Sequence, residues 1–394
     1  MQNVYGSYCK LNEHLKQYLL PLGCRNAATT VWMVLAAILS KSVTLSSWDV
    51  ALSFEVNAAS TIRRFSRWLH NLKIDISQIY DGIIGAALLN WGGKHIILAL
   101  DTTMLRDNAC AVRISMIYLG RAVPIAWSVL EHKSASVKYA AYKRVLVQAR
   151  SRLPENVCVI FLADRGFVSK KLMRQLNEWG WIWRIRIKGN QVLYCKNRKM
   201  KPSMLKLKKG SAKLFSGTVR FGKSLVGMSL SAGWSRGADE PWYILSNDAA
   251  SGEIFMEYAL RFNIEEEFRD EKSGGFKLDK SRVEGPEALE RLIFIIAVAT
   301  IIILNKGLEV VEEGNRKKVD GHSHRGLSYL QIGWRWISKQ LLKATVTMQF
   351  SLILRTMNDP LPAAPTRKES SLRRKRKNPK WHFKSISHCH DLLI

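Results

Sequence analysis

Tyr258, Arg261, Glu265 and Lys272 follow one another at steps of three, four and seven residues. On an α-helix turning about 100° per residue, the last three lie near 300°, 340° and 320° from Tyr258, so all four share one ~60° sector. One helix face would then offer an acid able to hold a metal ion and three groups able to hold a phosphate. Glu266 and Glu267 lie about 100° and 200° round from Glu265 and are poor substitutes for it. An ordinary i,i+4 ion pair accounts for Arg261 and Glu265, but not for Tyr258 or the in-phase Lys272.

Two further acids close apolar runs: Asp101 in LALDTT and Asp164 in FLADRGF. Both read as strand-ending residues, and carboxylates at the carboxyl ends of strands face the crevice where open α/β sheets hold ligands. Taken singly, each Asp could as well start a turn or cap a helix. Brought together, two such acids resist ionisation unless a divalent cation lies between them. Oxygen-only ligands favour Mg²⁺ or Mn²⁺ over zinc.

The elements that hold these residues follow from pattern. Residues 1–90 carry apolar positions at helical steps, as in AATTVWMVLAAILS and IYDGIIGAALLNW. Within them STIRRFSRWLHNLK sets Arg63, Arg64 and Arg67 among Phe65, Trp68 and Leu69. Such a basic amphipathic helix suits either a phosphate backbone or plain solvent. Residues 91–188 read as β-β-β-α-β-α-β, a mixed sheet flanked by helices. Residues 189–240 read as a basic, β-rich insertion: from 184 to 238 there are fourteen Lys and Arg and no acid. Solvated surfaces usually mix both signs of charge, so this stretch reads as an arm for phosphate, with Lys206, Lys208 and Lys209 as candidates. Residues 241–306 return to the sheet and carry the Glu265 helix, 307–361 are helical, and 362–394 form a basic tail. The tail holds five consecutive basic residues at 373–377. The cluster His388-Cys389-His390 lacks metal-ligand spacing.

Composition narrows the partner. Of 394 residues, 61 are Lys or Arg and 32 Asp or Glu, a net charge of +29 that calls for a polyanion such as nucleic acid. None of the six cysteines forms a Cys-x-x-Cys pair, which argues against a zinc ribbon or disulfide framework and for a reducing cytosol. The longest uncharged apolar run, 292–304, has thirteen residues, short of the ~20 that span a bilayer. It reads as a core helix opened by Pro286, and no membrane role is expected.

The Tyr-x2-Arg-x3-Glu-x6-Lys spacing, with LALDTT, ADRGF and the basic insertion between the second Asp and the Glu, resembles insertion-sequence DDE transposases of the IS-four type over roughly residues 40–305. The resemblance implies an RNase H-like catalytic core. It implies that Asp101, Asp164 and Glu265 hold two Mg²⁺ or Mn²⁺ ions, and that Tyr258, Arg261 and Lys272 grip phosphate near the cleaved end. Trp242, in PWYILSN, matches the family's Trp that stacks on a flipped base; as a residue of a strand it could equally be core. The expected partners are double-stranded DNA, both transposon ends and target, and a second copy of the chain on that DNA. The expected place is the nucleoid of a bacterial or archaeal cytoplasm. The tail departs from better-known relatives, which end in a long helical extension, so the dimer surface is not legible. The expected function is cut-and-paste transposition at terminal inverted repeats, with cleavage through a hairpin. The rivals are an RNase H-like nuclease without strand transfer and a domesticated DNA-binding protein without chemistry.

Overall fold

The computed structural model describes residues 2–322, 326–341, 349–356, 383 and 385–388. The basic segment 373–377, Cys389 and His390 lie outside the described residues.

Five helices come first: α1 (Gln2–Leu19), α2 (Gly23–Ser40), α3 (Leu45–Leu52), α4 (Ala58–Leu69) and α5 (Ile76–Ala87). Their starts are set locally. The Asn57 side chain accepts from Ala59 N–H at 2.8 Å before α4, and Asp75 does the same for Ser77 N–H before α5. The run Val4–Ser40 is, among the described residues, the stretch apolar and long enough to cross a membrane by length and composition, although 56% of its most apolar window is buried within the fold.

Next come β1 (His95–Arg106), β2 (Ala109–Tyr118), β3 (Arg121–Glu131), α6 (Tyr139–Ser151), β4 (Cys158–Ala163), α7 (Lys170–Glu178) and β5 (Ile182–Arg186). The β2–β3 turn is Leu119-Gly120 with φ of 50° and 70°. Two left-handed residues in a two-residue turn match the twist of an antiparallel hairpin. The insertion supplies β6 (Leu193–Cys195), β7 (Arg198–Met200), β8 (Ser211–Phe221) and β9 (Leu225–Trp234), and the chain returns as β10 (Trp242–Ser246). Then follow α8 (Ile254–Ala259), α9 (Phe262–Arg269), α10 (Pro286–Glu312), α11 (Tyr329–Leu341) and β11 (Ser385–His388).

All described strands join one mixed sheet in the order β3-β2-β1-β4-β5-β10-β9-β8-β6-β7, with β11 on β8. β1 runs parallel to β4 and β4 to β5, while β1–β2 and β2–β3 are antiparallel. The basic insertion is thus not a separate layer: β10 pairs with β5 and carries the sheet onward. Its apolar side chains, such as Leu193, Phe215, Val219 and Leu230, join the main core, which leaves the cations outside.

The run 292–304 lies within α10, nearly all of it buried against the sheet and the N-terminal helices. Gly307 on α10 and Gly333 on α11 let those helices touch backbone to backbone. A Cβ at Gly307 would fall 1.9 Å from the Tyr329 carbonyl oxygen, and one at Gly333 2.0 Å from that of Ile303.

Two features differ from the sequence reading. Asp101 does not end its strand, because the β1–β2 hairpin runs on to Arg106 and Ala109. The helix bearing Glu265 is not a uniform α-helix: a tight turn at Leu260 and Arg261 separates α8 from α9, and a π turn, Asp270–Gly274, follows. The wider π turn rotates the residues from Asp270 onward, which takes Lys272 out of the expected sector.

Candidate active site

The parallel β1–β4 ladder ends at Leu100 paired with Ala163. Asp101 is the next residue on β1 and Asp164 the first residue after β4, so two neighbouring strands deliver their carboxylates side by side. β4 ends there while β1 continues, so Asp101 stands at a rim formed by its neighbour's end rather than by its own.

α8 and α9 cross this rim. Arg261 is nearly buried and bridges two acids: Nη1 donates to Asp101 Oδ2 at 2.9 Å and Nη2 to Glu265 Oε1 at 2.6 Å. The Tyr258 hydroxyl donates to Asp164 Oδ1 at 3.4 Å, and the Thr102 N–H to Asp101 Oδ1 at 2.8 Å. Asp101, Asp164, Tyr258, Arg261 and Glu265 therefore form one cluster. The Asp101 side chain is 18% exposed and that of Glu265 50%.

Burial pushes the Asp101 carboxyl up to about 6; Arg261 and the Thr102 N–H oppose this, while Glu265 and Asp164 add to it. Burial also raises the Tyr258 phenol, which stays protonated and able to donate. For Arg261 burial disfavours the charge, but the neighbouring carboxylates Asp101 and Glu265 favour it, and its pKa is raised. The Phe262 ring lies 4.7 Å from its guanidinium carbon.

The donor chemistry fits a hard divalent cation: three carboxylates, oxygen only, two at adjacent strand positions. As arranged, the guanidinium of Arg261 supplies the positive charge between Asp101 and Glu265. No group of three metal-ligating side chains is gathered around one point among the described residues.

A pH test follows from Asp101. With its folded pKa near 6, against ~3.9 unfolded, the folded state binds its proton more tightly. The resulting stability is complete below pH ~4 and is lost as pH rises through about 6. Melting in chelator from pH 4 to 7 should favour Asp101→Asn over wild type as pH rises, by on the order of 2 kcal/mol across the window. A difference that does not change with pH would mean that Asp101 titrates normally.

The other candidate residues are placed less directly. Lys272 lies in the π turn; the groups bearing most on its ammonium are Glu271, Arg113, Asp279 and Cys110, and burial lowers its pKa. The structure groups it with β2 and not with Arg261. Trp242 is only 6% exposed, edge-on to Tyr258 at 5.3 Å and tilted against Phe262 at 5.8 Å. A base could reach its face only after these rings move. Lys206, Lys208 and Lys209 are exposed after the short helical turn Pro202–Leu205, with Lys209 above Trp234. Arg63, Arg64 and Arg67 are exposed on α4, whose Phe65, Trp68 and Leu69 are buried; Arg64 donates to Thr29 Oγ1 at 3.0 Å.

One residue near the site escaped the sequence reading. Arg113 lies opposite Asp101 on β2 and is fully buried with Glu267 and Glu271. The signal was there: it is the one charged residue in the apolar strand ACAVRISMIY.

Among solved structures, the chain is similar to a piggyBac transposase synaptic complex with hairpin DNA, seen by cryo-EM, at a TM-score of 0.42 and 12% identity, over 87% of this chain and 82% of that one. A likeness so remote assigns no residue. No curated protein matches the chain. Residues 112–302 match the family described as Transposase DDE domain, just under half of the 394 residues. The matched segment holds Asp164, Tyr258, Arg261, Glu265 and Lys272 and begins after Asp101. Over these residues the chain is similar to the DNA-cleaving domain of DDE transposases.

Proposed function

We propose that the protein is a cut-and-paste transposase that binds the inverted repeats of its own element as a homodimer, cleaves the DNA through a hairpin and joins the 3′ ends to target DNA. The observation that carries this reading is the cluster in which Asp101 and Asp164 leave adjacent strand positions and Arg261 ties Asp101 to Glu265. The family match over 112–302 supports it. The strand order β3-β2-β1-β4-β5 supports an RNase H-like core.

Asp101, Asp164 and Glu265 would hold two Mg²⁺ or Mn²⁺ ions. Such ions, when bound, supply an activated attacking oxygen and a stabilised leaving oxygen for in-line phosphoryl transfer. The chain supplies the rest. Tyr258 keeps its proton and orients Asp164. Arg261, released from its two acids, would turn its guanidinium to a phosphate oxygen, for which its planar fork is suited. Lys272, within the π turn, would act as a more distant phosphate contact. Burial around Asp101 keeps water from screening these charges.

The exposed cations of the insertion and of α4 would follow the duplex. Binding should then weaken by about 0.9 log units per log unit of salt for each neutralised phosphate. Replacing Lys206, Lys208 and Lys209 together by Ala should flatten that slope by up to ~2.7. Fluorescence anisotropy over a salt series reads the slope directly, and an unchanged slope would turn this part of the insertion away from DNA.

The function itself is tested by incubating the protein with a duplex carrying the element's end. Nicking at the end that needs Mg²⁺ or Mn²⁺ is the expected result. Firm binding without nicking in either metal would favour a DNA-binding protein that has no chemistry.

A further inference from the structure

Arg113 and Asp101 face each other across the antiparallel β1–β2 ladder, so their side chains leave the same face of the sheet. Arg113 is 0% exposed, and a single nitrogen, Nη1, donates to Glu267 Oε1 at 2.7 Å and to Glu271 Oε1 at 2.6 Å. Its guanidinium carbon lies 5.2 Å from the Phe268 ring. The strands on either side bind the same helical segment. Asp101 of β1 holds Arg261 at 2.9 Å, and Arg121, opening β3, donates to Asp270 Oδ2 at 2.5 Å. Three adjacent strands thus tie the segment from Arg261 to Glu271 by ion pairs at its start, its middle and its end.

One buried guanidinium between two buried carboxylates is a poor source of stability, since desolvating three charges offsets most of their attraction. Apolar contacts would hold α9 to the sheet at less cost, but they tolerate sliding. Ion pairs of this length do not. Slipping the helix by one residue moves each group ~1.5 Å along the axis and ~100° around it, which breaks both Arg113 bonds together. Glu265 lies two residues before Glu267 and is half-exposed, so apart from its bond to Arg261, on the same helical segment, little packing fixes its carboxylate. Its position depends on the register of the helix.

We propose that Arg113 is a positioning residue, whose ion pairs with Glu267 and Glu271 fix the register of the Glu265 helix over Asp101 and Asp164 and so set the geometry of the divalent-cation site. The proposal rests on reading those three acids as that site.

The test uses the full chain and Mn²⁺ alone, titrated by calorimetry. Two variants are compared with wild type: Arg113→Met, and Arg113→Met with Glu267→Gln and Glu271→Gln. The triple variant removes all three buried charges together, so it does not strand two carboxylates, and thermal melting shows which variants fold. In a folded variant Mn²⁺ affinity should fall 10–100-fold, as when a partner behind a metal ligand is lost. Cleavage should fall about 10²-fold, as for a misplaced reacting group. Duplex binding in chelator should not change. A folded variant of either kind with wild-type Mn²⁺ affinity would overturn the proposal. Asp101→Asn separates the two levels of failure. If it also leaves Mn²⁺ binding intact, the site itself is misassigned; if it weakens binding and the Arg113 variants do not, only the positioning role falls.

Discussion

Glu265→Ala should lower strand cleavage by about 10³-fold while binding of the transposon end stays within about twofold of wild type. Losing a ligand to the proposed cations would remove several kcal/mol of transition-state charge stabilisation, and each 1.36 kcal/mol is a factor of ten in rate. Binding should survive because, on the proposed function, it comes from cation–phosphate contacts, to which a carboxylate contributes nothing favourable. Glu265 is half-exposed, so its removal strands only Arg261, which keeps Asp101. At Asp101 and Asp164 the substitution to test is Asn, which preserves shape and hydrogen bonding while removing charge. The same separation of cleavage from binding is expected. Near-normal cleavage by Glu265→Ala in Mg²⁺ would remove that residue from the site.

Trp242→Ala is expected to lose stability and every activity together. The ring is 6% exposed and braces Tyr258, whose hydroxyl reaches Asp164. Truncating a buried Trp costs ~3–5 kcal/mol, and loosening Tyr258 would carry the damage into the site. A platform for a flipped base behaves otherwise. Its loss removes ~1–3 kcal/mol of stacking at one step, sparing first-strand nicking while hairpin formation falls. Melting the variant beside separate nicking and hairpin assays distinguishes the two. Unchanged melting with selective loss of the hairpin would restore the stacking role in spite of the burial.

Local patterns carried much of the architecture. Runs rich in Ile, Val and aromatics marked the strands from β1 to β5, helical steps marked α2 and α5, and the apolar run behind Pro286 marked α10. What stayed hidden was non-local. Asp101 was read as a strand end because its apolar run stops there, yet strand length is set by pairing with β2, whose partners for Thr102 to Arg106 lie downstream. Sheet membership of the insertion was equally out of reach, because the β5–β10 pairing joins residues about sixty positions apart. The helical sector containing Tyr258, Arg261 and Glu265 came through because those residues span only two turns. Lys272 did not, since a uniform 100° step cannot anticipate the π turn after Arg269. Arg113 shows the opposite limit: a lone charge in an apolar strand marks a buried partner but does not say which one.

On the proposed function, this cluster transfers DNA strands rather than merely cutting them. A duplex end bearing a pre-cleaved 3′-hydroxyl, incubated with the protein, Mg²⁺ and a supercoiled plasmid, measures that step alone. Covalent joining of the labelled end to plasmid, dependent on metal and lost in Asp101→Asn, is the expected result. Plasmid nicking without any joined product, by a protein that binds the end firmly, would contradict it and leave a nuclease.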